Sequence, residues 1–257
     1  MPESPHWLHR LWTRRPAWTP SVPAGARVYA VGDIHGRYDL LQQLLALIDA
    51  DAGPAQSSNT LIFLGDYIDR GPQSREVVEL LQSLTKPDWE IIALRGNHEQ
   101  MALAFCEDAG VYRTWRDYGG GPTLASYGVR PPAFDNAEEF AKAREAFVAR
   151  LPPAHRDFFN ALPYSHTIGD YLFVHAGIRP DVPIDRQSPQ DMMWIRQEFL
   201  WSGRVSEKIV VHGHSPSGSP AERKNRIGID TGAYATGRLT ALVLEGETRR
   251  FLSTKNA

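Results

Sequence analysis

The sequence is short of several things, and each shortage narrows what the chain can be. Cysteine is the scarcest: Cys106 is the only one among 257 residues, so no intramolecular disulfide can form and a reducing cytoplasm is the expected compartment. No apolar run approaches the ~20 residues that span a bilayer. The N-terminus lacks the apolar core and small-residue cleavage site of a signal peptide. Net charge is only −2, which leaves no global field to recruit nucleic acid or an anionic membrane. Internal repeats and low-complexity stretches are also missing. The remainder, 42% apolar and 23% charged, is an ordinary globular composition, sized for one domain or a domain with an insertion.

One stretch organises the rest: Leu61-Ile62-Phe63-Leu64-Gly65-Asp66-Tyr67-Ile68-Asp69-Arg70-Gly71. Its apolar start reads as a buried strand, and two carboxylates and an arginine follow as soon as the strand stops. Carboxylates there are costly unless a cation meets them. The design recurs. Residues 27–31 run into Gly32-Asp33-Ile34-His35-Gly36, and residues 90–94 into Arg95-Gly96-Asn97-His98-Glu99. Later strands deliver His175, and His212-Gly213-His214. Open α/β sheets place their ligands at the carboxyl ends of strands. A single such His or Asp would mean little; five strand ends carrying metal-type ligands mean a site.

Around these motifs the chain alternates strand and helix. Leu40, Leu41, Leu44, Leu45, Leu47 and Ile48 have helical spacing, as do Val77, Val78, Leu80, Leu81 and Leu84 after Pro72. A further helix is expected from His98 through Phe105. This order predicts an α/β chain with a mostly parallel layered sheet. Residues 1–26 read as an N-terminal arm with Trp7, Trp12 and Trp18 among arginines and prolines. It is expected to pack on the surface, with a membrane or partner contact as the alternative. Residues 27–257 then form one domain. Within it, residues 110–163 read as a helical insertion, either a cap that shapes access to the site or filler. Tyr118-Gly119-Gly120-Gly121-Pro122 is expected as a loop there, followed by helices ending near Leu151 and Leu162. Strands return after Pro163.

Asp33, His35, Asp66, Asn97, His175 and one of His212 and His214 make six oxygen and nitrogen ligands without a thiolate. Imidazoles argue against a pure calcium or magnesium site and suit two mid-row divalent ions, manganese first, iron or zinc next. Two such ions sharing Asp66, the central carboxylate, would clamp an in-line displacement and acidify a bridging water into the nucleophile. Arg70 and Arg196 suit bidentate grip on a phosphoryl group. His98 is placed to protonate the leaving oxygen, with Asp69 holding its ring. Arg95 reads as a brace for ligand carboxylates sooner than a substrate contact. Arg179 and Arg204 stand next in line should Arg196 not reach.

The five motifs, in this order over residues 27–245, resemble those of the PPP-type serine/threonine protein phosphatases, within the calcineurin-like metallophosphoesterases. The resemblance implies a central β-sandwich flanked by helices, two metals and single-step hydrolysis. It also implies His214, not His212, as the ligand, with Asn97 and His175 on the same ion. Where the eukaryotic branch carries Ser-Ala-Pro-Asn-Tyr-Cys, this chain has Ile229-Asp230-Thr231-Gly232-Ala233-Tyr234-Ala235, so it resembles the shorter bacterial and phage branch. The intact Asp69, Arg70 and Glu99 favour hydrolysis of phosphoserine or phosphothreonine, and of phosphotyrosine, on a protein or peptide partner. The alternatives are a bis(5'-nucleosyl)-tetraphosphatase or other nucleotide phosphohydrolase, and an inactive binder of phosphorylated partners. No nucleic-acid partner is expected.

Overall fold

The computed structural model describes residues 18–52 and 58–254. Two five-stranded sheets face each other. The first has the order β10-β9-β1-β2-β3, from β1 (Ala26–Val31), β2 (Ser58–Phe63), β3 (Trp89–Ala93), β9 (Thr240–Glu245) and β10 (Thr248–Ser253). The second runs β4-β5-β6-β8-β7, from β4 (Ser165–Ile168), β5 (Tyr171–Val174), β6 (Ile209–His212), β7 (Ala221–Glu222) and β8 (Arg226–Gly228). Each sheet holds a parallel run of three strands, β1-β2-β3 in one and β5-β6-β8 in the other. Antiparallel strands β9 and β10 extend the first sheet on one side only, and β4 and β7 flank the second, so the sheets are mixed and not mostly parallel as expected.

Strand periodicity explains the layering. Val28, Ala30, Ile62 and Leu64 face Tyr171, Phe173, Ile209, Val211 and Ile227 between the sheets. Their alternating neighbours Tyr29, Val31, Leu61 and Phe63 pack under helices instead. Both faces of β1 and β2 are therefore buried, which is why they read as continuous apolar runs rather than as alternation. The outer face of the second sheet carries a smaller cluster, Leu172, Val174, Ile195 and Phe199 among it. A calcineurin-like α/β fold, two sheets flanked by helices, is what the sequence led one to expect.

The helices over the first sheet are α1 (Tyr38–Ala52), α2 (Ser74–Ser83) and α3 (Asn97–Glu107). They are joined by α4 (Tyr112–Asp117), α5 (Gly120–Ser126), α6 (Ala137–Arg150) and α7 (Pro153–Ala161) from residues 110–163. The expected loop at residues 118–122 is shorter than it looked. Gly119 turns the chain in the left-handed region (φ 97°), and α5 starts at Gly120, with Pro122 in its first turn where no backbone N–H is needed. Residues 190–200, read as helix or turn, are two short helices, α8 (Pro189–Trp194) and α9 (Gln197–Leu200), parted at Arg196. A short helix α10 (Ala233–Thr236) lies beside the site. Leu47, counted above in the helical spacing of α1, is 41% exposed. Strands β4, β7 and β10 had no sequence signal above.

Trp7 and Trp12 lie outside the described residues. The part of the arm that is described packs on the domain: Val22 is buried, its N–H donates to the Gly246 carbonyl, and Ser21 pairs with Asp170. No helix among the described residues is long and apolar enough to cross a membrane.

Candidate metal centre

Because the central strands of both sheets are parallel, their carboxyl ends gather on one side. β1 leads to Asp33 and His35, β2 to Asp66, β3 to Asn97 and His98, β5 to His175 and β6 to His214. The turns that follow are tight. His35, Asp66, Asp69, Arg70 and His214 all have positive φ, between 47° and 73°, a region that side chains other than glycine rarely adopt. Such strain clusters where surrounding structure over-determines the backbone, typically at functional sites. Two glycines allow the close approaches. A Cβ on Gly213 would meet Asp33 Oδ1 at 2.0 Å, and one on Gly96 would meet Asp66 Oδ1 at 2.2 Å and Asp66 N at 2.4 Å.

The ligand-type atoms form two compact groups, His35–Asp66–His98 and Asp66–His175–His214, each within 4.8 Å, and Asp66 belongs to both. His35 Nε2 and His98 Nε2 each stand 3.6 Å from Asp66 Oδ2, and His175 Nε2 stands 3.3 Å from Asp66 Oδ1. Asn97 Oδ1 joins the second group, 2.9 Å from both His175 Nε2 and His214 Nδ1.

Three observations fit this arrangement to divalent cations. First, His35 Nδ1 donates to the Ile68 carbonyl and His175 Nδ1 to that of Leu64, both at 2.9 Å. A carbonyl only accepts, so in the neutral rings each Nε2 lone pair turns to the centre. Second, His175 Nε2 and Asn97 Oδ1 then face each other as two acceptors, while the buried Asn97 Nδ2 has no partner. A cation between lone pairs removes that conflict. Third, buried carboxylates crowd together. Burial, with Asp230 and Asp66 nearby, pushes the Asp33 carboxyl well above its usual range. Burial would raise Asp66 too, but His175, His98 and His35 hold it well below. Oxygen and imidazole donors without thiolate suit mid-row divalent ions.

Asp33 is in neither compact group. Its carboxylate accepts the His214 backbone N–H at 3.1 and 3.0 Å, which ties the end of β1 to the end of β6. His214 lies in the second group, whereas His212 is in neither. His212 sits edge-on to Phe199 at 5.1 Å, its buried Nε2 has no partner, and burial lowers its pKa to about 4. The positive φ of His214 sends the two rings apart, although a regular strand would set them on one face.

The two residues expected to form the acid pair are close. His98 Nδ1 lies 2.6 Å from Asp69 Oδ2, both buried. Burial lowers the His98 pKa, but Asp66 and the hydrogen bond to Asp69 outweigh it and the net shift is upward. Glu99 accepts three backbone N–H groups, those of Asp66, Tyr67 and Gly96, and so fixes the turn after β2 on the start of α3.

The arginines divide. Arg70 stacks its guanidinium 4.5 Å from the Tyr234 ring centroid, and Arg196 Nε donates to His214 Nε2 at 2.9 Å. Arg95 braces no carboxylate: it donates to the Phe159 and Asn160 carbonyls at the end of α7. Arg179 and Arg204 are held by Asp191 and Asp181, away from the centre. Sequence reading passed over Asp230, which follows β8 just as Asp66 follows β2, so the strand-end rule would have found it. It also passed over Tyr234, Trp115 and Thr123, for which no local signal exists.

Comparison with known proteins places this geometry. The family model described as calcineurin-like phosphoesterase matches residues 26–242. The asymmetrical bis(5'-nucleosyl)-tetraphosphatase PrpE of Anoxybacillus flavithermus is 26% identical over 233 residues, 82% of this chain and 88% of that one. The symmetrical bis(5'-nucleosyl)-tetraphosphatase of Dechloromonas aromatica is 33% identical over 152 residues, 59% of this chain and 44% of that one. A solved structure provisionally assigned as a diadenosine tetraphosphatase superposes with a TM-score of 0.63 at 23% identity, covering 93% of this chain and 100% of that one. The cold-active protein-tyrosine phosphatase of a psychrophilic Shewanella gives 0.58 at 19% identity, covering 90% and 83%. At such identities these two structures share the fold alone.

Proposed function

We propose that this chain, which belongs to the calcineurin-like phosphoesterases, hydrolyses nucleotide polyphosphates of the bis(5'-nucleosyl)-tetraphosphate class at a dinuclear centre. One observation carries the substrate class: similarity to the asymmetrical tetraphosphatases runs along 82% of this chain, not only through the shared motifs. Of the residues that favoured phosphoproteins, Glu99 only fixes a turn and does not discriminate. The Asp69–His98 pair would help an ester's basic leaving oxygen more than a nucleotide phosphate, so the substrate class rests on the similarity alone.

Asp33, His35 and Asp66 would hold one ion, and Asp66, Asn97, His175 and His214 the other, with manganese favoured over iron and zinc. Bound ions supply Lewis acidity at the phosphoryl group and a water acidic enough to attack near neutral pH. The chain does the rest. Arg70 and Arg196 grip the non-bridging oxygens and meet charge as it builds. His98 keeps a hydrogen at Nδ1 for Asp69, so its Nε2 proton is the one delivered to the leaving oxygen.

The test is turnover of diadenosine tetraphosphate beside phosphoserine, phosphothreonine and phosphotyrosine peptides with manganese supplied, products resolved by ion-exchange chromatography. The expected result is faster turnover of the dinucleotide, giving the unequal pair AMP and ATP. Faster turnover of a phosphopeptide would return the protein-phosphatase reading, and equal halves of ADP would assign the symmetrical reaction.

A further inference from the structure

The helices of residues 110–163 do more than cover the first sheet. Trp115 Nε1 donates to Asp69 Oδ2 at 2.7 Å, and the Thr123 hydroxyl donates to Asp69 Oδ1 at 2.5 Å. The same hydroxyl accepts the Asp69 backbone N–H at 2.8 Å, and that N–H is also 3.1 Å from Ser74 Oγ. One residue further on, the Arg70 N–H donates to the Gly119 carbonyl at 3.0 Å. Asp69 and Arg70, at φ 73° and 67°, are thus held in an unfavourable backbone region by groups some fifty residues away in sequence. Asp69, Trp115 and Thr123 are almost wholly buried.

This arrangement fixes a protonation pattern as well as a position. With Trp115 and Thr123 both donating, each Asp69 oxygen acts as an acceptor, and the carboxylate is left to take one more hydrogen, from His98 Nδ1. His98 can then turn only its Nε2 toward the leaving oxygen. Buried carboxylates short of donors take up protons or rotate, and either would release the ring.

We propose that Thr123 and Trp115 are positioning residues for the leaving-group proton, acting through Asp69 on His98. The proton passes from His98 Nε2 to the leaving oxygen as the phosphorus–oxygen bond breaks; His98 is left neutral and takes its next proton from water. This rests on the acid role given to His98 above, and on nothing about the nucleotide.

The experiment is a series of aryl phosphates of graded leaving-group basicity, run on wild type, Thr123→Val, Thr123→Ser, Trp115→Phe and His98→Asn, with metal content measured on each. Thr123→Val nearly preserves volume and removes the hydroxyl. It should lose about tenfold on phenyl phosphate, the scale of one hydrogen bond to a charged group, and far less on p-nitrophenyl phosphate, with metal content unchanged. Thr123→Ser, which keeps the hydroxyl, should restore the phenyl phosphate rate. A second readout does not need turnover: the downfield proton resonance of His98 Nδ1–H should move or vanish in Thr123→Val and Trp115→Phe. An equal loss of Thr123→Val on both esters with the resonance unmoved, while His98→Asn keeps its leaving-group dependence, would overturn this inference alone. Equal losses for His98→Asn as well would overturn the acid role beneath it.

Discussion

His98 and His214 both look toward Asp66, yet the two halves of the centre that they represent are built differently. The His98 half comes from the turns after the consecutive strands β1, β2 and β3. It is locked from behind by Trp115, Thr123 and Gly119. The His214 half is assembled from β5, β6 and the break between α8 and α9. Its arginine, Arg196, is exposed on the surface and lies against the ring and the carbonyl of His214. One half is braced by groups that never meet the ions; the other is braced by its own ligands. Damage should therefore stay local in the first half, and should reach metal binding in the second.

The comparison breaks most completely at the residue the halves share. Asp66→Asn should remove nearly all turnover, because the two groups lose the carboxylate charge and one of the two oxygens they share. Next comes the ligand of the second half alone. His214→Ala should drop metal content to about one ion per chain and nearly abolish turnover, read by elemental analysis beside a rate assay. In the braced half, His98→Asn should keep both ions and lose about 10²–10⁴ in kcat on poor leaving groups. On p-nitrophenyl phosphate its loss should be smaller.

The arginines sharpen the contrast. Each should cost on the order of 10²–10³ in rate, as for one lost oxyanion donor, with KM raised. Arg70→Ala should leave metal content untouched, because Arg70 rests on Tyr234 and Gly119. Arg196→Ala should shift metal affinity as well as rate, because its partner is a ligand. A metal titration on both variants separates these outcomes. The smallest effect belongs to His212→Ala, which should keep both ions and lose less than the roughly tenfold expected for a side chain that orients a ligand. Loss of an ion in that variant would move the second site one residue pair upstream.

The same contrast decides what could be read from sequence. Asp33, His35 and Asp66 follow strands whose two-sided burial makes them plain apolar runs, so motif and strand end arrive together; Asn97 and His98 follow the half-buried β3, whose Ile91-Ile92-Ala93 run still marks it. The sandwich itself was visible through the family pattern and not through periodicity, since the antiparallel edge strands β4 and β10 are only partly buried and carry no clean alternation. His214 could not be told from His212 by spacing, because the choice rests on a positive φ that no residue type announces. Arg95 sits beside Asn97 in sequence, but the chain turns its side chain onto α7. Trp115 and Thr123 reach Asp69 only because α4 packs against α3 and α5 against α2, a long-range fact without a local trace.

Ions bound per chain, measured together with turnover as manganese is added back to the stripped protein, test the shared-carboxylate centre most directly. The account predicts about two equivalents, with turnover rising as the second binds, and fewer than one in Asp66→Asn with turnover all but gone. Saturation at one equivalent with full turnover, or an Asp66→Asn protein that holds two ions and works like wild type, would contradict it.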